Sequence, residues 1–294
     1  MNKKEQLKTD IKGLLFILPS LSGFLFFVVV PVLFSLGISF CEWDYTKGLS
    51  GIHFNFGVNY LEMWKDDWFL VSLKNTILFS LGFVPTVLVL ALFISIIIDR
   101  YLINKRICQL FFFMPYISNI VAVSIVWVVM LSSSGPITML ISSLGIENPP
   151  KWLGNTATAL PSIIVMSVWL NLGYLIMIYT AALQLIPKDM YEAAEIDGAN
   201  GLQQLFRITI PMLKPTTFFL LITTIINSFK VFGQVKIMTA GGPGNATSVL
   251  VYHIYTSAFT FYNMGYASAM SWVLFIILFT MTLIQMRGQK KWSI

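Results

Sequence analysis

Charge is what this sequence has least of. Nineteen lysines and arginines with thirteen aspartates and glutamates make up 11% of the 294 residues, against 56% hydrophobic. Soluble domains carry about 25% charged residues, so so few charges cannot cover a globule of this size in water. An ordinary soluble enzyme is excluded, and the apolar content excludes a disordered chain. Cysteine is nearly absent. Cys41 and Cys108 are the only two, too few for a disulfide framework. Reactive motifs are missing too. No G-x-x-x-x-G-K-[ST] loop is present to cradle a phosphate, no Cys/His spacing or H-E-x-x-H to hold a metal, and no nucleophile elbow. Gly241-Gly242-Pro243-Gly244-Asn245 is rich in glycine but lacks the lysine of a phosphate loop and reads as a turn. The net charge of +6 would point to nucleic acid in a soluble protein. Here the distribution of charge along the chain matters more, and no nucleic-acid partner is expected.

Long apolar runs are what the sequence has in excess, and mean hydropathy is +0.77. A helix crossing ~30 Å of hydrocarbon at ~1.5 Å per residue needs roughly 20 apolar residues. Six segments qualify: 13–40, 69–98, 107–131, 159–184, 216–238 and 262–286. The runs are long and continuous, unlike the short alternating strands of a membrane barrel. The expected fold class is therefore an all-α transmembrane bundle of six helices in one domain, residues 1–294, embedded in a lipid bilayer. The first run is too long for a signal-peptide core and lacks a small-residue cleavage site.

Orientation follows from the basic residues. Lys3, Lys4, Lys8 and Lys12, Arg100, Lys105 and Arg106, Lys188, Arg207 and Lys214, and Arg287, Lys290 and Lys291 all fall on one side. The opposite loops hold only Lys47, Lys65 and Lys151. The positive-inside rule puts the crowded side, with both termini, in the cytoplasm. Trp43, Trp64, Trp68 and Trp152 then belong to the outer segments and suit interfacial anchoring.

The polar connector after the fourth span is built for a shape. Pro187 suits a first helical position, with Asp189 and Glu192 early in the helix. Gly198 suits the left-handed residue that ends it. Asn200 with Gln203 three residues later has the spacing of a capping box. Leu202, Leu205, Phe206 and Thr209 share one face of the second helix, and Pro211 stops it. Residues 186–215 thus predict two short helices joined by a sharp turn, with an exposed edge for a partner.

At these residues the chain resembles a known family. Glu192-Ala193-Ala194, Asp197-Gly198-Ala199, Phe206, Ile208, Pro211 and Pro215 match the cytoplasmic loop signature of ATP-binding cassette importer permeases, in particular the binding-protein-dependent sugar branch typified by the maltose permease. Position 210 is Ile where Leu is usual. Phe56-Gly57-Val58-Asn59-Tyr60 followed by Asn75-Thr76, and Met238-Thr239-Ala240-Gly241-Gly242-Pro243, look like oligosaccharide permease subunits. Gly233 stands where many relatives have Asp.

The resemblance implies a bacterial inner-membrane permease subunit that is not itself an enzyme and binds no cofactor. ATP and magnesium would sit in two partner ATPase subunits. A second homologous permease and an extracellular solute-binding protein would complete the assembly. The loop would dock into a cleft of the ATPase through Glu192, Ala193, Ala194, Asp197 and Gly198, with Glu192 making a charged contact.

Polar residues inside spans must face protein or a watery cavity. Thr223, Asn227, Lys230 and Gln234 recur at helical spacing and read as one stripe of span five. Span four offers Asn171 and Tyr174; span three offers Tyr116, Asn119 and Trp127. Amides with flat aromatic faces suit a sugar's hydroxyl and C–H surfaces, although amides also bond helices to one another. No arginine lies in any span, so the forked cluster that suits phosphorylated or acidic solutes is missing. A neutral oligosaccharide is expected, with Lys230 donating to a hydroxyl or to a neighbouring carbonyl. The alternatives are a permease for glycerol phosphate or another charged small solute, or an ion-coupled secondary transporter. The latter wants intramembrane carboxylates, and none lies well inside a span.

Overall fold

The computed structural model describes residues 16–289. Residues 13–15 of the first expected span lie outside them, as do Lys3, Lys4, Lys8, Lys12, Lys290 and Lys291. Among the described residues the structure is helical apart from one two-stranded hairpin. The chain divides into two compact units. The smaller ends at Lys65 and resumes over Ile254–Val273; the larger holds Asp66–His253 and resumes at Leu274.

In the smaller unit, helix α1 (Phe16–Ser39) is apolar on all sides and almost wholly exposed, as a helix surrounded by lipid would be. Strands β1 (Cys41–Trp43) and β2 (Ile52–Phe54) follow, pairing Cys41 with Phe54, Glu42 with His53 and Trp43 with Ile52. Helix α2 (Val58–Met63) then turns back on them. The Asn59 amide donates to the carbonyls of Ser39 and Cys41, each at 2.9 Å, and the Tyr60 hydroxyl donates to Ser39 Oγ at 2.8 Å. The Phe56–Tyr60 stretch is thus a clasp on the end of α1. The sequence predicted neither the hairpin nor this clasp, because the runs are only three residues long.

The larger unit is built on two long helices, α3 (Asp67–Tyr101) and, further on, α7 (Thr156–Leu183). Between them come α4 (Lys105–Ile117), α5 (Ile120–Met130) and α6 (Pro136–Ser143). After α7 come α8 (Lys188–Ile196), α9 (Gly201–Met212), α10 (Lys214–Phe229), α11 (Gly233–Met238) and α12 (Leu250–Phe259). Helix α13 (Met264–Gln289) is the last; the part of α12 from Ile254 and the part of α13 up to Val273 belong to the smaller unit. Side-chain caps start the long helices: Asp66 accepts from Trp68 N at 2.8 Å, and Asn155 from Ala157 N at 2.9 Å.

Helices α3 and α7 interlock through Phe79, Phe83, Val87, Ile163, Met166, Ile176 and Tyr179, all buried. In lipid the hydrophobic drive between helices is lost and close packing takes its place. Gly173 shows how close. A Cβ there would lie 2.0 Å from the Phe112 carbonyl oxygen, so α4 crosses α7 backbone against backbone.

Among the described residues four helices are long and apolar enough to cross a membrane, or up to six if two bent pairs, α4 with α5 and α9 with α10, each count as one span. The second, fourth and sixth expected segments agree with α3, α7 and α13 to within a few residues. Span three is corrected: it is two helices, α4 and α5, bent by 96°. Asn119 causes the break by capping a new helix, its side chain accepting from Val121 N at 2.8 Å. Span five is corrected as well. Helix α10 ends at Phe229, and α11 starts afresh at Gly233 after Phe232 turns out of helical geometry at φ −147°, ψ −56°.

Candidate functional site

The break between α10 and α11 makes a cavity. Asn227 occupies the last turn of α10, Lys230 follows its end, and Gln234 opens α11. They are therefore not one helical stripe, as their spacing suggested. The turn nevertheless brings all three onto one cavity of about 260 Å³, with Asn171 and Ser167 of α7, Ser228 and Gly233. Phe79, Phe83 and Ile120 supply apolar walls. Thr223 is not among the lining residues; its hydroxyl donates to the Phe219 and Leu220 carbonyls of its own helix at 3.0 and 3.1 Å.

Chemically the cavity offers amides, hydroxyls and one ammonium. The Asn171 amide is aimed by its bond to the Ser167 carbonyl, 2.8 Å. Ser228 Oγ bonds to Ser80 Oγ at 2.8 Å and so fixes α10 on α3. Ser167 is 1% exposed and its hydroxyl has no partner in the protein. A buried hydroxyl left unsatisfied is costly, so the cavity is poised to accept a hydrogen-bonding guest. No carboxylate lines it.

The aromatic residues stand apart from the amides. Tyr116 of α4 stacks on Tyr174 of α7 with centroids 4.9 Å apart, beside the Gly173 crossing. Trp127 of α5 meets Trp169 of α7 at 5.7 Å and lines two apolar cavities of about 330 and 450 Å³. Asn119 is committed to its cap. Four of the eight expected pathway residues, Asn171, Asn227, Lys230 and Gln234, share the polar cavity; Tyr174, Tyr116, Asn119 and Trp127 do not line it.

The second feature is the connector after α7, where the local signals hold. Pro187 caps α8 one position before the expected first turn. At the other end Gly198 adopts φ +80°, its N–H bonds to Glu195 O, and Ala199 N bonds to Ala194 O at 2.8 Å. That pair of bonds is a complete Schellman motif. Asn200 and Gln203 form the capping box in both directions, at 2.8 and 2.9 Å. Glu192, Ala193, Asp197 and Gly198 are exposed and Ala194 is half-buried.

The expected apolar face of the second helix is corrected. Leu202 and Phe206 are 67% and 65% exposed, whereas Gln204 and Thr209 are buried. A π-turn over Leu205–Thr209 adds a residue to that turn and rotates the face. Nor does Pro211 stop the helix, which runs on to Met212. Behind the connector, Tyr191 bonds to Thr209 Oγ1 at 2.9 Å and packs under the Arg100 guanidinium at 6.0 Å. Lys105 pairs with Asp99 at 2.7 Å. These groups border a cavity of about 660 Å³.

A third feature joins two stretches that are distant in sequence. The Asn75 amide donates to the carbonyls of Asn245 and Ser248 at 2.9 and 3.0 Å, and Thr76 Oγ1 accepts from Leu250 N at 2.8 Å. Trp68 and Ser72 both reach the Ser248 hydroxyl, at 2.8 and 2.9 Å. Asn75-Thr76 and the loop after Met238 are two halves of one fastening. Nearby, His253 is 2% exposed, stacks on Trp68 at 4.2 Å and lies 3.7 Å from Asp66. Burial pushes its pKa down to about 4, against the pull of the Asp66 carboxylate.

Residues 84–291 match the family described as "Binding-protein-dependent transport system inner membrane component". The chain belongs to that family. The matched stretch takes in the connector and nearly all of the polar cavity. Among relatives, the probable ABC transporter permease protein YesP of Bacillus subtilis is 36% identical over 99% of this chain and 95% of its own length. The lactose transport system permease protein LacF of Rhizobium radiobacter is 32% identical over 94% of this chain and 93% of its own. The fold is that of a chain in the crystal structure of a bacterial alginate ABC transporter in complex with alginate pentasaccharide-bound periplasmic protein. The TM-score is 0.84 at 20% identity, covering 99% of this chain and 98% of that one.

Proposed function

We propose that this chain is a permease subunit of an ATP-driven, binding-protein-dependent importer of a sugar or oligosaccharide. The observation that carries the reading is the polar cavity, where Asn171, Asn227, Lys230 and Gln234 meet around the orphan Ser167 hydroxyl. Sugar hydroxyls both donate and accept, and amides and serines answer both. A relative named for lactose supports the solute class. The absence of arginine from the expected spans and from the cavity lining denies a forked site to phosphate. Amides and hydroxyls alone would satisfy the neutral sugar expected from the sequence; Lys230 asks for more.

In this reading α4 with α5 forms one span and α10 with α11 another, giving six, with α8 and α9 and both termini in the cytoplasm. One such bundle encloses half a pathway, and a second, similar permease supplies the other half. The exposed edge at Glu192–Gly198 docks on a separate ATPase subunit, one for each permease, and those subunits bind ATP and magnesium. Their closure moves the connectors, and the permeases alternate between inward and outward access, accepting solute from a docked external binding protein.

The test is reconstitution in vesicles with the partner permease, ATPases and binding protein. ATP-dependent uptake is expected, and uptake driven by an ion gradient without the ATPases would overturn the reading. Topology is checked separately in a Cys41→Ser, Cys108→Ser background. Ser50→Cys and Ser143→Cys are expected to react with an impermeant thiol reagent outside intact cells, and Gln203→Cys is not.

A further inference from the structure

Lys230 is a cation with nothing of opposite charge beside it. It follows α10, ~24 Å along that helix from Lys214 at ~1.5 Å per residue, well inside the membrane-spanning body. Among the described residues no carboxylate lies within 4.0 Å of its ammonium, and no Asp or Glu lines the cavity it borders. Ion pairs elsewhere in this unit show the alternative: Lys105 holds Asp99 at 2.7 Å. An ammonium at membrane depth is expensive unless it meets water, a counter-charge or a guest. The rest of the lining is neutral, and the orphan Ser167 hydroxyl, 1% exposed, marks the same cavity as ready for a ligand.

We propose that Lys230 binds a carboxylate carried by the sugar, so that the transported solute is an acidic oligosaccharide containing a uronic acid. This rests on the permease reading above. Lysine suits the task. Its ammonium is a compact point charge with three donors, matched to a single carboxylate, whereas a phosphate is better gripped by the arginine fork that the cavity lacks. The amides of Asn171, Asn227 and Gln234 and the Ser167 hydroxyl remain for the ring hydroxyls. Lys230 is exposed at the mouth of this cavity, and a cation there also draws anions toward it, so the same residue favours entry and holds the charged group. Because no carboxylate of this unit competes for Lys230, the guest does not have to break an ion pair within it to bind.

The experiment uses the reconstituted complex of this chain with its partner permease, ATPases and binding protein. Two probes are compared: a uronic-acid trisaccharide, and the same trisaccharide with its carboxyl groups reduced to hydroxymethyl. In the unmodified complex the acidic probe is expected to be imported faster. Lys230→Gln is expected to slow the acidic probe at least ~10-fold more than the neutral one, the loss of one charge-assisted hydrogen bond. Lys230→Arg is expected to retain most acidic uptake. Lys230→Cys, in the Cys41→Ser, Cys108→Ser background, is expected to regain acidic uptake after treatment with an aminoethylating reagent and not after a sulfonatoethyl one.

Equal loss of both probes in Lys230→Gln would make the lysine a structural tie to the partner subunit and overturn the proposal while leaving the permease reading intact. Unchanged acidic uptake in Lys230→Gln, or preference for the neutral probe in the unmodified complex, would overturn it as well. Uptake of neither probe, with the complex assembled and ATP hydrolysed, would reject the sugar-importer reading together with the proposal.

Discussion

Two interruptions of helix in the larger unit solve the same problem differently. Between α8 and α9 the chain reverses at Gly198, and its freed backbone groups are taken up locally by the Schellman bonds and the capping box of Asn200 and Gln203. Between α10 and α11 no side chain caps the new helix, and the break leaves Asn227, Lys230 and Gln234 facing a cavity instead of one another. A turn that satisfies itself is stiff and can pass on a push. A turn whose polar groups are left over is a place for a guest. The first sits on an exposed edge; at the second, Asn227 and Lys230 are exposed but stand beside buried Phe79 and Phe83 of α3 and Ser167 of α7.

Substitutions should separate the two. The largest effect is expected from Gly173→Val, which forces a side chain into the Phe112 carbonyl and wrecks the α4–α7 crossing that frames the cavity wall. A cost of about 3 kcal/mol should remove the folded chain from detergent extracts, read by size-exclusion profile. Next, Asn227→Leu with Gln234→Leu should abolish uptake while the complex still assembles, since it removes two of the cavity's three amides without touching the connector. Gly198→Pro and Glu192→Lys should do the converse: solute binding survives, but ATP hydrolysis and uptake come uncoupled in vesicles. Proline cannot adopt the positive φ of that turn. Asn200→Ala removes the cap alone and should cost about 1 kcal/mol, visible as a lower melting temperature with partial coupling.

The smallest effect should be pH-dependent. His253 is neutral when folded until the pH approaches 4, whereas an unfolded histidine takes its proton near the ordinary 6.5. The unfolded chain therefore binds more protons as pH falls through that window, and stability declines between about 6.5 and 4. Melting curves of His253→Gln should lose that part of the acid sensitivity.

The same contrast explains what could be read in advance. Gly198, Asn200 and Gln203 act on backbone within a few residues of themselves, so spacing alone announced the turn. The long apolar runs announced α3, α7 and α13 for the same reason. The break at Lys230–Phe232 has no comparable local mark: Phe232-Gly233 is no strong stop signal, and the helical spacing of Asn227, Lys230 and Gln234 argued for continuity. The convergence of those residues with Asn171 and Ser167 depends on where α7 packs, which no spacing encodes. Asn119 was legible in principle, since asparagine before an apolar run is a cap signal, but the surrounding hydrophobicity masked it. The split of aromatics from amides is likewise a packing outcome, fixed in part by Gly173.

The fastening at Asn75 and Thr76 also sets a clock. Its partners, Asn245, Ser248 and Leu250, come 170 to 174 residues later in the chain. A ribosome adding ~5–20 residues per second needs about 10–35 s to cover that gap. Throughout that interval the N-terminal end of α3, the longest helix among the described residues, must wait with an amide and a hydroxyl unanswered, so that end of α3 can be finished only after most of the chain has been made.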